Sequence, residues 1–177
     1  HVVRHPGEFV RSGIRRGWYD GAHAHDVGRI RPLGAAGVEF DALDQITKVA
    51  ITSAFSYGET LYITSFFNLV LAHNTGAAFS FLAGAGGWQR WFFTAVAVVA
   101  SVVIMHLLRK HADEKWFCLA LALILGGAIG NVIDRIRFGY VVDFVQLHAA
   151  GLYWPAFNVA DSAITVGAVL IVILSFR

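Results

Sequence analysis

Residues 91–133 read WFFTAVAVVASVVIMHLLRKHADEKWFCLALALILGGAIGNVI. Two apolar runs, 91–108 and 116–133, flank the polar segment RKHADEK. At 18 residues each, the runs are long enough to be helices crossing a bilayer. Trp88 and Trp91 suit the water–lipid boundary at the start of the first run. Gly126 and Gly130 in the second have the small-residue spacing that lets two helices approach closely. Over all 177 residues, 56% are hydrophobic and 15% charged, with mean hydropathy +0.59. Soluble domains carry about a quarter charged residues, so the whole composition agrees with a membrane protein.

Outward from this pair of runs, residues 157–176 read as a further span. Residues 33–51, LGAAGVEFDALDQITKVAI, read as a first span interrupted by Glu39, Asp41, Asp44 and Lys48. Asp44 and Lys48 are four apart and share a helix face, so they can pair toward the bundle interior. Residues 52–90 contain the β-branched and aromatic run ITSFFNLVLAHN, followed by TGAAFSFLAGAGG. Short strands and a Gly-rich loop outside the hydrocarbon are expected there, with Asn74 the polar residue at the strand end. The fold class expected is all-α membrane protein: four transmembrane helices with a small extracytoplasmic β-rich cradle. Residues 1–32, basic and mixed with Gly and His, are expected to form a disordered leader without a cleavable signal peptide. His1, His5, His23 and His25 in it read as solvated loop.

The Lys and Arg distribution sets the orientation. The N-terminal segment and the Arg109–Lys115 loop are basic, while residues 52–89 contain no Lys or Arg. The positive-inside rule then puts both termini in the cytoplasm and residues 52–90 and 134–156 on the outer side. A formal net charge of +2, without a basic stripe interleaved with aromatics, gives no nucleic-acid footprint. The lone cysteine, Cys118, sits in an apolar run and reads as a small buried hydrophobe.

Two aspartates stand out near the outer face: Asp143 in VVDF, within the outer loop expected over 134–156, and Asp161 in FNVADSAITVG at the start of the last apolar run. A carboxylate at the edge of a bilayer is costly to desolvate. A pair of them can share one proton, so that one takes a proton from water while the other donates to a carbonyl oxygen. From the residues alone three roles stay open: peptide hydrolysis, an ion or proton relay, and structure. In the last, Asp161 would be a helix N-cap and Asp143 a partner of Arg135 or Arg137. Ser162 has no adjacent base, and no HExxH or paired-cysteine motif occurs.

Four strings then carry a resemblance: LDQITK (43–48), HNTGAAFSFL (73–82), GGAIGNVIDRIRFGYVVDF (126–144) and PAFNVADSAITVG (155–167). In this order, over most of residues 43–175, they resemble the lipoprotein signal peptidases (signal peptidase II), bacterial inner-membrane aspartyl peptidases. The resemblance implies a catalytic dyad of Asp143 and Asp161, with Asn74, Asn131, Asp134, Arg135 and Asn158 as substrate-binding or orienting residues around it. Asp44 and Lys48 match the family's polar pair on the first helix. The implied substrate is a prolipoprotein with diacylglycerol on its lipobox cysteine, cleaved just before that cysteine. No cofactor and no metal are implied, membrane lipid is the other partner, and a monomer is expected. A short helix is implied after the strands of 52–90. The chain departs from the family pattern in its Arg/Gly/His leader and in the acids Glu39 and Asp41, where the family has a clean apolar first helix.

Overall fold

The computed structural model describes residues 19–76 and 86–176. Its elements are α1 (Tyr19–Ala54), β1 (Thr60–Tyr62), β2 (Phe67–Asn74), α2 (Gln89–Lys110), α3 (Lys115–Phe138), β3 (Val141–Ala149), β4 (Leu152–Tyr153) and α4 (Val159–Ser175). The helices α2 and α3, of 22 and 24 residues, are long and apolar enough to cross a bilayer, and α4 is a shorter apolar helix of 17. Along α2 the valines 96, 98, 99, 102 and 103 are exposed, as a lipid-facing surface requires.

The central helix is α3, which packs against the other three. Its glycines explain how. A Cβ on Gly126 would lie 2.5 Å from the carbonyl oxygen of Gly37 in α1, and one on Gly130 would lie 2.7 Å from Oδ2 of Asp44. A Cβ on Gly127 would lie 2.3 Å from the carbonyl oxygen of Ala160 in α4. The GxxxG spacing thus faces α1, and the intervening Gly127 admits α4. Association in lipid depends on such close packing, because lipid tails are as apolar as the side chains. At the C-terminus of α3, Gly139 takes the left-handed conformation (φ 86°) and its N–H donates to the Arg135 carbonyl at 3.1 Å. The chain then turns sharply into β3.

The strands form one antiparallel sheet in the order β1-β2-β3-β4. It covers the end of the bundle opposite the α2–α3 loop, since every helix-to-strand connection lies at that end. A small core of Ile51, Leu71, Val142 and Phe144 joins α1 to the sheet. A second core, of Ile104, Leu108, Cys118 and Leu121, closes the other end of α2 and α3. Cys118 is fully buried there, its Sγ 3.0 Å from the carbonyl oxygen of His111.

Two expectations need correction. The outer segment 134–156 is not a loop: half the sheet comes from β3 and β4. The first four residues of β3, VVDF, are buried on both faces and so lack the alternation that announces a strand. The disordered leader expected over 1–32 also does not hold where it can be checked. Residues 1–18 lie outside the described residues, but the backbone of 19–32 is helical and continuous with α1. The short helix implied after the strands falls on residues 77–85, outside the described residues.

Replacing Gly127 by Ala will force α3 away from the Ala160 carbonyl. A loss of about 1–3 kcal/mol is expected. Thermal unfolding of the detergent-solubilised protein checks it, and an unchanged midpoint would contradict the packing described.

Candidate active site

Asp143 lies in β3 and is 2% exposed. Such burial demands N–H donors, and two amides supply them. Asn158 Nδ2 donates to Oδ1 at 2.7 Å, and Asn74 Nδ2 donates to Oδ2 at 3.1 Å. Burial, and next the neighbouring Asp161 charge, push the Asp143 carboxyl up to about 7; the two amides and Lys48 oppose this. Neither Arg135 nor Arg137 is its ion-pair partner among the described residues. Arg135 instead donates to the carbonyl oxygens of Asn131 at 3.4 Å and Gly76 at 3.0 Å, with its guanidinium 5.4 Å above the Phe93 ring.

Asp161 occupies the first turn of α4, but not as its N-cap. The cap is Asn158, whose Oδ1 accepts the Asp161 N–H at 2.9 Å. In return Asp161 Oδ2 accepts the Asn158 N–H at 3.3 Å, completing a capping box. Its Oδ1 accepts from Asn131 Nδ2 at 2.8 Å. The helix N-terminus favours negative charge at this position. Asn158 therefore holds both aspartates at once, Asp143 through its amide nitrogen and Asp161 through its backbone and its amide oxygen.

Asn74 reaches Asp143 because of a defect in the sheet. Phe67, Asn68 and Leu69 pair with Leu147, Gln146 and Val145, whereas Ala72, His73 and Asn74 pair with Asp143, Val142 and Val141. Between Leu69 and Ala72 the strand β2 gains one residue on its partner, a β-bulge. Side chains alternate along a strand, so one extra residue changes which of them share a face with Asp143. Ala72 and Asn74 come onto that face. His73 turns to the other, where its ring stands 4.6 Å from that of Tyr57 and 3.9 Å from that of Tyr140. Asn74 is also turn-forming, as its Oδ1 accepts the Gly76 N–H at 3.0 Å.

Behind the aspartates lies a buried polar cluster. Lys48 Nζ is 2.7 Å from Asp44 Oδ2, 2.8 Å from Asp134 Oδ2 and 3.2 Å from Asn131 Oδ1. The Asp44–Lys48 pair expected on α1 is thus present and faces inward. Asp134, 1% exposed, faces this cluster, away from the open space beside Asp161. Gln45 was not singled out in the sequence, yet its Nε2 donates to Asp134 Oδ1 at 3.1 Å and to the Gly130 carbonyl at 3.3 Å. Its place between Asp44 and Lys48 in LDQITK was the available signal.

Beside Asp161 is a cavity of about 570 Å³. Asn74, Asn131, Arg135 and Asp161 form its polar side, while Leu147, Trp154, Phe157, Ile164 and Val166 are among its apolar walls. All nine residues singled out from the sequence lie in this cavity's polar wall or in the hydrogen-bonded cluster behind it.

Two changes at Asn158 separate its two jobs. Asn158→Ala removes both the cap and the amide on Asp143, costing about 1–2 kcal/mol of stability and nearly all activity. Asn158→Ser keeps a capping oxygen, so unfolding returns close to wild type while activity stays lost. Recovery of activity in the Ser variant would show that the amide on Asp143 is dispensable.

Comparison with known proteins agrees with this architecture. Residues 39–177 match the family model described as signal peptidase (SPase) II. The lipoprotein signal peptidase of Ralstonia nicotianae is 60% identical over 176 residues, 99% of this chain and 97% of that protein. That of a Janthinobacterium species is 61% identical over 140 residues, 79% of this chain and 84% of that one. A solved structure described as a bacterial membrane enzyme, obtained by the in meso method at 2.3 Å resolution, superposes with a TM-score of 0.74. It is 31% identical and covers 80% of this chain and 85% of its own. With the family model spanning most of its length and relatives this similar, the chain belongs to the signal peptidase II family of lipoprotein signal peptidases.

Proposed function

We propose that this chain is an aspartic-type endopeptidase that removes the signal peptide from diacylglyceryl-modified prolipoproteins, cutting just before the lipidated cysteine. The observation that carries this reading is the pair of carboxylates held by one asparagine, with Asp161 lining a mostly apolar cavity. Relatives named lipoprotein signal peptidase supply the substrate class.

Asp143 is the more deeply buried of the two and holds its proton up to about pH 7, so it is the acid that protonates the scissile carbonyl oxygen. Asp161 faces the cavity, accepts two N–H groups and sits at a helix N-terminus. It is the base that takes the proton from the attacking water. The resulting tetrahedral intermediate collapses by breaking the C–N bond, with Asp161 returning a proton to the leaving amine and Asp143 taking back the proton of the intermediate's hydroxyl as C=O reforms. Asn74, Asn131 and Arg135 line the same wall and orient the peptide. The apolar walls suit the lipid-bearing side of the substrate, and anchoring of the acyl chains in the bilayer holds the peptide bond at interface depth.

The peptidase domain is residues 33–177, with four spans built on α1 to α4. The basic α2–α3 loop, with Arg109, Lys110 and Lys115, lies at the end of the bundle away from the sheet. The positive-inside rule then supports cytoplasmic termini and a site near the outer face of the bacterial inner membrane. The enzyme acts as a monomer.

Asp143→Asn and Asp161→Asn are each expected to lower kcat by about 10³-fold or more on a diacylglyceryl lipobox peptide. Wild-type cleavage by either variant would remove the dyad. The pH profile follows from the raised Asp143 value: the proton needed on the acid is present below about 7 and lost as pH rises through it. The rate should therefore fall on the alkaline side with a midpoint near 7, and a rate constant from pH 6 to 9 would contradict the assignment.

A further inference from the structure

The cluster behind the aspartates connects to them in a way that burial alone does not require. Asp44 Oδ1 accepts the N–H of Ala160, at 2.9 Å, and Ala160 immediately precedes Asp161. Asp134 Oδ2 accepts the N–H of Val142, at 3.1 Å, and Val142 immediately precedes Asp143. Each of the two carboxylates bound by Lys48 therefore grips the backbone one residue before one member of the dyad. The third acceptor of Lys48 is Asn131 Oδ1. An amide whose oxygen is held by an ammonium must aim its nitrogen the other way, and that nitrogen donates to Asp161 Oδ1. An ammonium has three donors, and here each has one acceptor.

From these contacts we infer that Lys48 is a positioning residue for the hydrolysis: by holding Asp44, Asp134 and Asn131 together it sets the separation of Asp143 and Asp161 and the orientation of the amide on Asp161. The inference rests on the dyad reading proposed above. It moves Asp134 from the substrate-binding set to the frame behind the dyad. It also gives a reason for the burial of Lys48 and Asp44, which are 3% and 0% exposed. Buried ion pairs are often no more stabilising than well-packed apolar groups of the same volume, so stability alone is a weak reason for one. A clamp joining α1, α3 and the two segments carrying the aspartates is a better one. A dyad displaced by about 1 Å loses on the order of 10²-fold in rate, because proton transfer requires near-attack geometry.

The charged groups acting on Asp143 are Asp161 and Lys48, and Arg135 lies within electrostatic reach of both aspartates. Asp44 and Asp134 face Lys48 itself. Removing the Lys48 charge takes away a group that favours ionised Asp143, so the alkaline limb of the pH profile must move upward. A role confined to holding the helices together would lower stability but leave kcat of the folded protein unchanged.

The test uses the purified full chain in lipid nanodiscs, a diacylglyceryl lipobox peptide and the variants Lys48→Met, Asp44→Asn and Asp134→Asn. In folded Lys48→Met, kcat should drop about 10²-fold at nearly unchanged KM, with the alkaline limb shifted to higher pH. Wild-type kcat, or a lost rate with the limb unmoved, would overturn the inference. Should Lys48→Met not fold, the two Asn variants decide. Reduced kcat at unchanged KM in both supports the clamp, and wild-type kcat in both overturns it. Asp143→Asn measured alongside separates the two levels. If it cleaves normally the dyad itself is wrong. If it is dead while the folded Lys48 variant is fully active, only the clamp is.

Discussion

An ionisable group taken out of water must find partners within the protein, and the outer end of this bundle is arranged around that need. Asp143 is almost wholly buried and accepts from two amides. Asp161 accepts from a third amide and a helix N-terminal N–H. Behind them Asp44, Asp134 and Lys48 neutralise one another's burial. Every helix except α2 supplies a side chain to this network, so the bundle cannot place its helices independently of the aspartates. The glycines of α3 follow from the same demand. Only a helix without side chains at 126, 127 and 130 lets α1 and α4 approach closely enough for these hydrogen bonds.

The sheet contributes the other half. It brings Asp143 to the end of the bundle on β3 and presents Asn74 from β2. The one-residue bulge decides that Asn74, rather than His73, faces the aspartate. Asymmetry between the two carboxylates follows from their positions. One is enclosed between sheet and bundle and keeps its proton to about 7; the other stands at a helix terminus beside the cavity. Similar side chains thereby acquire different tasks, as a two-carboxylate hydrolysis requires.

Much of this was legible in the sequence. The runs 91–108 and 116–133 announced α2 and α3 by length and composition, and the site residues stood in four recognisable strings. Asp44 and Lys48 advertised their pairing by helical spacing. What was not legible depended on tertiary context. VVDF is buried on both faces, so its apolar run carried no strand period, and Asp143 was placed in a loop. The bulge in β2 is a property of the pairing with β3 and leaves no local mark. Asp161 looked like a cap, whereas the cap is Asn158, three residues earlier, and Asp161 closes the box from inside the helix. Gln45 and Asp134 became part of the frame only once α1 and α3 were side by side.

The central claim is that the two aspartates share one proton and that it resides on Asp143. Infrared difference spectra of protein with ¹³C-labelled aspartate carboxyls, in lipid, read this directly. A protonated aspartate carbonyl band is expected that disappears with a midpoint near pH 7 and is missing from Asp143→Asn. A spectrum in which Asp143 is already ionised at pH 5, or in which the band survives that substitution, would contradict it.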